Sequence, residues 1–250
     1  MSEAPEPLAE LGYERTPLGE ISLRLRRDPK VPGVDLYEIK LGDEFLMSSL
    51  FHAAEDALAV LGLAPFEGRP TDVVVGGLGL GHTAATALDQ PGVRSVVVVD
   101  ALEAVIGWHQ RGLVPLGARL SADPRCRLVH GDFFSLAAGA PSSSGGAFDP
   151  EAPGRRYHAV LLDVDHTPRH LLHPRNAAFY TPAGLRALHR HLVPDGVFAL
   201  WADGAPDPDW TATLADAFAT VATHVVSFPN PYLDRDSSNT VYLARGLRRA

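Results

Sequence analysis

The 250-residue chain contains a single cysteine, Cys126, so it cannot form an internal disulfide framework or a cluster of thiolate metal ligands. Positive charge is also scarce. The formal net charge is −8, which disfavours the phosphate backbone of nucleic acids as the main partner. No apolar run approaches the length of a membrane span, and no signal peptide opens the chain. We therefore expect a soluble, cytoplasmic protein.

Hydrophobic residues are plentiful at 46% of the chain. They can bury a substantial core, and the length suits one α/β domain with a small appendage. Alternating apolar and polar residues at 19–27 and 34–41 predict short antiparallel strands ahead of that domain. We therefore divide the chain into residues 1–47, a tail with short β-strands, and residues 48–250, the α/β domain. Residues 1–10 are rich in Pro, Glu and Ala and are expected to be frayed.

Beyond residue 47 the sequence alternates between patterns typical of strands and of helices, and it finishes with two β-like runs around a polar turn. This order predicts a sheet of seven strands, mostly parallel, with the last strand reversed. A segment rich in Gly, Ser, Ala and Pro at 137–156 is expected to be a mobile loop. The predicted elements are a helix capped by Ser48 or Ser49 and ending near Leu61, helices at 101–113, 181–192 and 209–219, and strands at 73–75, 96–99, 127–130, 158–162, 197–201, 223–228 and 240–244.

The stretch from Thr71 to Asp100 is the one around which the rest of the chain is organised. An apolar run meets the glycine cluster GGLGLG, a small-residue helical pattern follows, and a second apolar run, VVVV, ends in Asp100. Glycines let the backbone turn with positive φ and approach a ligand closely, and the helix that follows presents unpaired N–H groups. An acid at the tip of the next strand can accept hydrogen bonds from ribose hydroxyls. We interpret the stretch as a nucleoside-binding βαβ unit.

The glycine spacing fits two kinds of cofactor. Gly77-x-Gly79-x-Gly81 matches the loop of enzymes that use S-adenosylmethionine (SAM). Gly79-x-Gly81-x-x-Ala84 matches the dinucleotide fingerprint. A tight turn in an ordinary α/β sheet would contain the same glycines, so the choice depends on other residues.

Acids stand at the ends of several predicted strands. Because the carboxyl ends of parallel strands meet at one crevice, these side chains are expected to line a common ligand site. They are Asp100, Asp132, Asp163 and Asp203.

The sequence resembles the class I SAM-dependent transferase fold, and more closely its spermidine-synthase-like branch, over nearly its whole length. The resemblance rests on the glycine loop, VVVVD ending at Asp100, DPRCRLVHGD ending at Asp132, LLDVDHTP with Asp163, and AAFYTPAGL. It implies a Rossmann-like α/β sheet of seven strands with the last one antiparallel, and SAM or decarboxylated SAM as the cofactor. A dinucleotide enzyme has no comparable need for the acid at Asp132, so the dinucleotide interpretation is disfavoured.

By that resemblance, the glycine loop surrounds the amino-acid end of the cofactor. Asp100 would hold the ribose, Asp132 would accept a hydrogen bond from the adenine amino group, as an acceptor-only carboxylate can, and Phe133 would lie beside the ring. Asp163 corresponds to the acid that helps to deprotonate the attacking amine in aminopropyl transferases, and it is the candidate general base. The cofactor-binding set is Gly77, Gly79, Gly81, Asp100, Asp132 and Phe133.

Two features depart from the aminopropyl transferases. Leu80 stands where they carry an aspartate that binds the donor's amine, and Met47-Ser48-Ser49 replaces the Tyr-His-Glu run of their polyamine site. A multiply charged polyamine is costly to bind in a dry slot without partnered acids. We therefore favour a methyltransferase acting on an unidentified small acceptor. An aminopropyl transferase is the alternative, and a non-catalytic SAM-binding relative is the third interpretation.

The segment 163–180, between a predicted strand and a helix, is expected to close over the acceptor as a lid, because a connection of this length without clear periodicity is usually functional or disordered. Its histidines, His166, His170 and His173, lack regular helical spacing, and no metal site is expected. A small-molecule acceptor is the expected partner, and a homodimer is left open. The candidate acceptor-site residues are Asp165, His166, Tyr180, Trp201 and Asp203.

Overall fold

The computed structural model describes residues 8–139 and 147–248. The first part of the chain forms an antiparallel sheet of four strands. One face of this sheet buries Ile21, Leu23 and Ile39 against the rest of the protein. The frayed terminus predicted for residues 1–10 is wrong at residues 8–10, which pair with the second strand, while residues 1–7 lie outside the described part. The strands, in spatial order, are β1 (Leu8–Thr16), β2 (Gly19–Arg27), β3 (Asp35–Leu41) and β4 (Glu44–Ser48).

The second sheet has seven strands in the order β10-β11-β9-β8-β5-β6-β7. All pairs from β9 through β7 are parallel, whereas β11 is antiparallel to both β9 and β10. The predicted seven-stranded sheet with a reversed last strand is therefore confirmed. The strands are β5 (Thr71–Gly76), β6 (Val93–Asp100), β7 (Cys126–His130), β8 (Tyr157–Leu162), β9 (Leu192–Asp203), β10 (Phe218–Phe228) and β11 (Ser237–Leu247).

Helices cover both faces of this sheet, so its central strands are apolar on both sides. Val73 and Val75 of β5 pack in one cluster with Leu58, and Val74 packs in the other with Leu214. Burial on both faces explains the unbroken valine runs of β5 and β6. The helices are α1 (Ala53–Leu63), α2 (His82–Asp89), α3 (Glu103–Gln110), α4 (Gly117–Ala122), α5 (Phe133–Ala137), α6 (Pro182–Leu188) and α7 (Pro208–Ala217). None of the helices in the described ranges is long and apolar enough to cross a membrane.

The helix boundaries differ from the predicted ones where the sequence holds competing signals. α1 begins after His52 rather than at Ser48 or Ser49, because Ser48 ends β4 and pairs with Glu38. The α6 cap is confirmed, since Thr181 Oγ1 accepts a hydrogen bond from the Gly184 N–H. The short helices α4 and α5 were not predicted, because five or six residues are too few to show an apolar period.

The segment 137–156, predicted to be a mobile loop, is packed where the structure describes it. Phe148 is buried and stacks on Phe133 with 5.2 Å between ring centroids. Asp149 is also buried, and the Arg127 and Arg155 side chains lie beside it. Residues 147–149 are therefore anchored in the core, the mobility of the segment stays a prediction, and residues 140–146 lie outside the described part.

The strand order reverses between β5 and β8, because the chain runs from β5 outward to β7 and then returns to the other side. Open α/β sheets bind ligands at the carboxyl ends of strands beside such a reversal. In this protein the loops after β5 and β8 meet there, since the Asp163 N–H donates to the Gly76 carbonyl at 2.8 Å. The division of the chain at residues 47 and 48 stays a prediction.

Candidate active site

A cavity of about 450 Å³ opens at the carboxyl ends of β5, β6, β8 and β9, and the strands β3 and β4 form part of its wall. It is large enough for a nucleoside-sized ligand, within the range typical of small-molecule sites. Gly81, Asp165 and Tyr180 do not line it. The predicted site residues that do line it are Gly77, Gly79, Asp100, Asp132, Phe133, Asp163, His166, Trp201 and Asp203.

The glycine loop adopts the left-handed conformations that its sequence predicts. Gly77 has φ +94° and Gly79 has φ +47°, and side chains rarely adopt such values. A Cβ on Gly77 would overlap the backbone carbonyl of Asp163. Gly81, at φ +92°, precedes α2 and faces Leu120 rather than the cavity. Gly77 and Gly79 therefore form the wall of the site, while Gly81 only shapes the turn.

Two side chains that sequence reasoning did not connect with the glycine loop hold it in place. His109, fully buried on α3, places its Nε2 2.9 Å from the Gly79 carbonyl oxygen. Met47 packs over Gly79, and its sulfur accepts a hydrogen bond from the Leu80 N–H at 3.0 Å. The side chain at the loop is thus a thioether from β4, and Leu80 itself points into the core.

Asp100 accepts one backbone hydrogen bond on each oxygen, from the Leu78 N–H at 2.8 Å and the Leu102 N–H at 2.7 Å. A carboxylate has about four acceptor sites, so two remain for the hydroxyls of a ribose. Burial raises the pKa of Asp100, and these backbone donors oppose the rise. The residue therefore fits the predicted ribose contact, and its backbone bonds fix its orientation.

Asp132 is the N-cap of α5, accepting from the Phe134 N–H at 3.1 Å and from Ser135 Oγ at 3.0 Å. Arg175 Nη2 lies 3.4 Å from the same carboxylate. Phe133 is buried among other aromatic rings and packs against Gly76. Asp132 is thus a helix cap that also faces the cavity, and its contact with an adenine amino group stays a prediction.

Asp163 faces the cavity together with a second acid, Glu55 of α1, which sequence reasoning missed. Thr83 Oγ1 donates to Asp163 Oδ2 at 3.0 Å. Burial raises the pKa of both acids, and for Glu55 the nearby charge of Asp163 raises it further. Glu55 is only 7% exposed. The backbone N–H of Glu55 itself opposes the rise in its pKa by donating a hydrogen bond to the carboxylate.

Asp165 was predicted to bind the acceptor, but the structure turns it inward. It is 1% exposed and accepts from the Leu172 N–H at 2.7 Å, from Asn176 Nδ2 at 3.0 and 3.1 Å, and from Tyr180 Oη at 2.9 Å. Tyr180, the other predicted acceptor-site residue outside the cavity, serves as one of its donors. The physical reason is that a buried carboxylate needs several donors. Asp165 and Tyr180 therefore hold the segment 163–180 in shape.

The segment 163–180 contributes His166, Arg175 and Asn176 to the cavity wall. His166 Nε2 lies 2.9 Å from Glu44 Oε1, and Arg169 pairs with the cap of α7 through Asp207 at 2.6 Å. The segment thus already borders the cavity and is tied to β4 of the first sheet and to the start of α7. Its further closure on a ligand stays a prediction.

Replacing Asp165 with alanine is expected to loosen this segment. The change leaves the Asn176 and Tyr180 donors without an acceptor, and each buried unsatisfied donor lowers the free energy of unfolding by about 1–3 kcal/mol. We expect faster tryptic cleavage after Arg169 and Arg175 and a lower melting temperature. Asp234→Ala, in the exposed turn between β10 and β11, is the matched control and should leave both unchanged. Equal cleavage of the two variants would contradict the proposed role of Asp165.

Trp201 and Asp203 of β9 also line the cavity. Asp203 is exposed, and its N–H donates to the His166 carbonyl at 2.7 Å. Trp201 is half-buried and also packs against the core. Both lie where the sequence places an acceptor, and their contact with one stays a prediction.

Two solved structures have the same fold as this chain. The crystal structure of spermidine synthase from Thermotoga maritima matches with a TM-score of 0.70 at 15% sequence identity, covering 96% of this chain and 74% of that chain. Spermidine synthase in complex with the transition-state analogue AdoDATO matches with a TM-score of 0.70 at 14% identity and the same coverage, 96% and 74%. No protein-family model matches the sequence. No curated protein is similar to it at a significant level.

The sheet order and the structural likeness define the class of fold of this chain, a Rossmann-like α/β fold. Within that class the chain has a spermidine-synthase-like fold, as the sequence resemblance predicted. At 14–15% identity the likeness carries the fold alone.

Proposed function

We propose that this protein is a transferase that binds a SAM-type sulfonium donor and alkylates an amine, with aminopropyl transfer from decarboxylated SAM as the best-supported reaction. The observation that carries the proposal is the pair of carboxylates, Glu55 and Asp163, facing the same cavity as Gly77, Gly79 and Asp100. A sulfonium donor supplies an alkyl carbon that is activated toward attack by nitrogen. The residues around the cavity would bind the donor and the amine and accept the proton that leaves.

The donor's nucleoside would be held by Asp100 and Asp132. Asp100 has acceptor sites left for two ribose hydroxyls after its bonds to the backbone. Asp132 would accept from the adenine amino group beside Phe133. Because Met47 lies over Gly79, the amino end of the donor would contact a thioether. A methionine side chain is flexible enough to shift for it.

The amine would lie between Asp163 and Glu55. An amine that enters this cavity carries a positive charge, which the two buried carboxylates lining it can balance. Asp163 would first take a proton from the ammonium group, which frees the nitrogen lone pair. The N–C bond would then form as the C–S bond breaks and the sulfur leaves as a neutral thioether, and Thr83 keeps the Asp163 carboxylate oriented. Glu55 would balance the charge of the ammonium group, a role that requires it to ionise when the amine binds.

The preference for methyl transfer, based on Leu80 and the Met47-Ser48-Ser49 run, is not confirmed. Both solved structures named above are spermidine synthases, which favours the aminopropyl alternative. Glu55 of α1 also supplies the cavity with an acid, although Met47-Ser48-Ser49 replaces the Tyr-His-Glu run of the polyamine site. Methyl transfer from SAM stays the second candidate, because the glycine loop contains no acid for the amine of decarboxylated SAM.

The test is incubation of the purified chain with SAM or decarboxylated SAM and a panel of amines that includes putrescine, with products identified by mass spectrometry. We expect 5′-methylthioadenosine together with an aminopropylated amine. S-Adenosylhomocysteine with a methylated amine would reverse the order of the two candidates. Nucleoside binding in calorimetry without turnover would favour the non-catalytic interpretation, and binding of NAD alone would overturn the cofactor assignment.

A pair of variants tests whether the nucleoside binds in the cavity. Asp100→Ala should weaken nucleoside binding by about 1–3 kcal/mol, the cost of a lost charged hydrogen bond. Asp89→Ala, on the exposed end of α2, should leave nucleoside binding unchanged.

A further inference from the structure

A second group of potential ligands lies outside the cavity, where α1 and α2 begin. His52 caps α1, Asp56 lies in its first turn, and His82 is the first residue of α2. Each residue offers one ligand atom, and these atoms all lie within 4.8 Å of one another. In the described ranges, this is the one such group of histidine, cysteine and acidic side chains. None of the three residues lines the cavity.

Ordinary hydrogen bonds account for only part of this group. His52 Nδ1 lies 2.7 Å from Asp56 Oδ2, and the other oxygen of Asp56 accepts from Thr86 Oγ1 at 2.6 Å. The His82 ring stacks on His52 with 4.2 Å between centroids and an interplanar angle of 6°. Within the part of the chain that the structure describes, neither nitrogen of His82 has a hydrogen-bond partner. Two stacked imidazoles next to one carboxylate therefore leave an aromatic nitrogen unused.

The surroundings of the group also suit a cation. Thr86 Oγ1 donates a hydrogen bond to Asp56 Oδ1 and so orients the carboxylate from outside, as the outer partners of metal ligands do.

We propose that His52, Asp56 and His82 bind one divalent transition-metal ion, for which Zn²⁺ is the reference. Two imidazoles and one carboxylate form a donor set typical of zinc and of non-haem iron, with further positions left for water. Binding requires the two rings, now parallel, to tilt until both lone pairs point at the ion. Both rings are half-buried at the surface, which allows this movement.

A metal ion at this position would connect two helices. It would join the start of α1 to the start of α2. Its ligand Asp56 is next to Glu55 of the acid pair, and its ligand His82 is next to Thr83, which donates a hydrogen bond to Asp163, the other acid of the pair. Occupancy would therefore stabilise the packing of the two helices that carry these side chains. The proposal does not depend on the reaction that the cavity performs.

The experiment uses the full chain without a polyhistidine tag, stripped of metal with a chelator. Calorimetry with Zn²⁺ should give one site per chain, and Zn²⁺ should raise the melting temperature. Co²⁺ should produce visible d–d absorption bands that Zn²⁺ abolishes. His82→Asn and Asp56→Asn should each weaken Zn²⁺ binding at least about tenfold, a loss seen even for outer partners of metal ligands.

The matched control is His224→Asn, on the outer hairpin strand β10, which should bind Zn²⁺ like the unaltered chain. Circular dichroism of the metal-free variants separates lost binding from lost folding. The wild-type Co²⁺ spectrum tests the site even if a variant does not fold. Absence of Co²⁺ bands in the unaltered chain, or Zn²⁺ affinity that His82→Asn leaves unchanged, would overturn the proposal.

Discussion

Replacing Asp163 with asparagine is expected to lower kcat about 10²–10⁴-fold, the range for loss of a positioned general base. Asparagine keeps the shape of the side chain but cannot accept a proton from the amine. Nucleoside binding should stay intact, because Asp100 and the glycine loop do not depend on the Asp163 carboxylate. The measurement is single-turnover kinetics with the active donor, together with calorimetry of 5′-methylthioadenosine.

The pH dependence of the reaction rate in the unaltered protein also tests whether Asp163 is the base. Burial raises the pKa of Asp163 from its ordinary value to about 6, and a base acts only when deprotonated. The rate should therefore fall as the pH drops through about 6, rather than near 4. Thr83→Val removes the hydrogen bond that lowers this pKa, so the fall should move to higher pH. A profile that Thr83→Val leaves in place would contradict the assignment of Asp163 as the base.

Glu55→Gln separates charge balance from proton transfer. Glutamine cannot balance an ammonium group, so the KM for the amine should rise more than kcat falls. Asp163→Asn should show the opposite split, because its loss affects the chemical step. An equal effect of both substitutions on kcat would mean that the two acids act as one proton-accepting unit.

The prediction that acids at strand ends line the cavity is correct where the strand itself fixes the position of the acid. Asp100 is the last residue of β6, and the carboxyl ends of the parallel strands border the crevice. Asp163, just after β8, follows the same logic. The sheet was predictable for a related reason. A parallel strand covered on both faces needs an unbroken apolar run, which is visible in the sequence.

Other predictions failed because a single sequence does not show which donors surround a side chain. Asp165 lies two residues from Asp163, yet the folding of the segment 163–180 places Asn176 and Tyr180 around it. Glu55 was missed for the converse reason. It lies on an amphipathic helix, where an acid is usually solvated, and its place at the cavity becomes visible only in the folded chain.

The first strand was missed because its signal is weak. Residues 8–16 alternate between exposed and half-buried positions and include no fully buried side chain. A strand at the edge of a sheet gains its order from hydrogen bonds to its neighbour, and those bonds leave little trace in the composition of the strand. The Pro- and Glu-rich residues before it then favoured a frayed terminus.

Gly77→Ala is expected to cause a large loss of both stability and nucleoside binding. The residue has φ +94°, which costs an L-amino acid about 1–3 kcal/mol. Its new Cβ would also overlap the Asp163 carbonyl, and overpacking costs about 1–3 kcal/mol more. No side-chain rotation relieves this overlap, because the carbonyl is backbone and its neighbouring N–H is bonded to Gly76. The loops after β5 and β8 must then separate, which displaces the glycine wall and Asp163 together.

Gly154→Ala is the matched control for this prediction. Gly154 has a similar φ of +85°, but a Cβ there meets nothing within 4 Å. It should therefore show the conformational cost alone and bind nucleoside normally. Urea unfolding of both variants and calorimetry with 5′-methylthioadenosine measure the difference. If Gly77→Ala loses no more stability than Gly154→Ala and still binds the nucleoside, the close contact between the two loops does not shape the site.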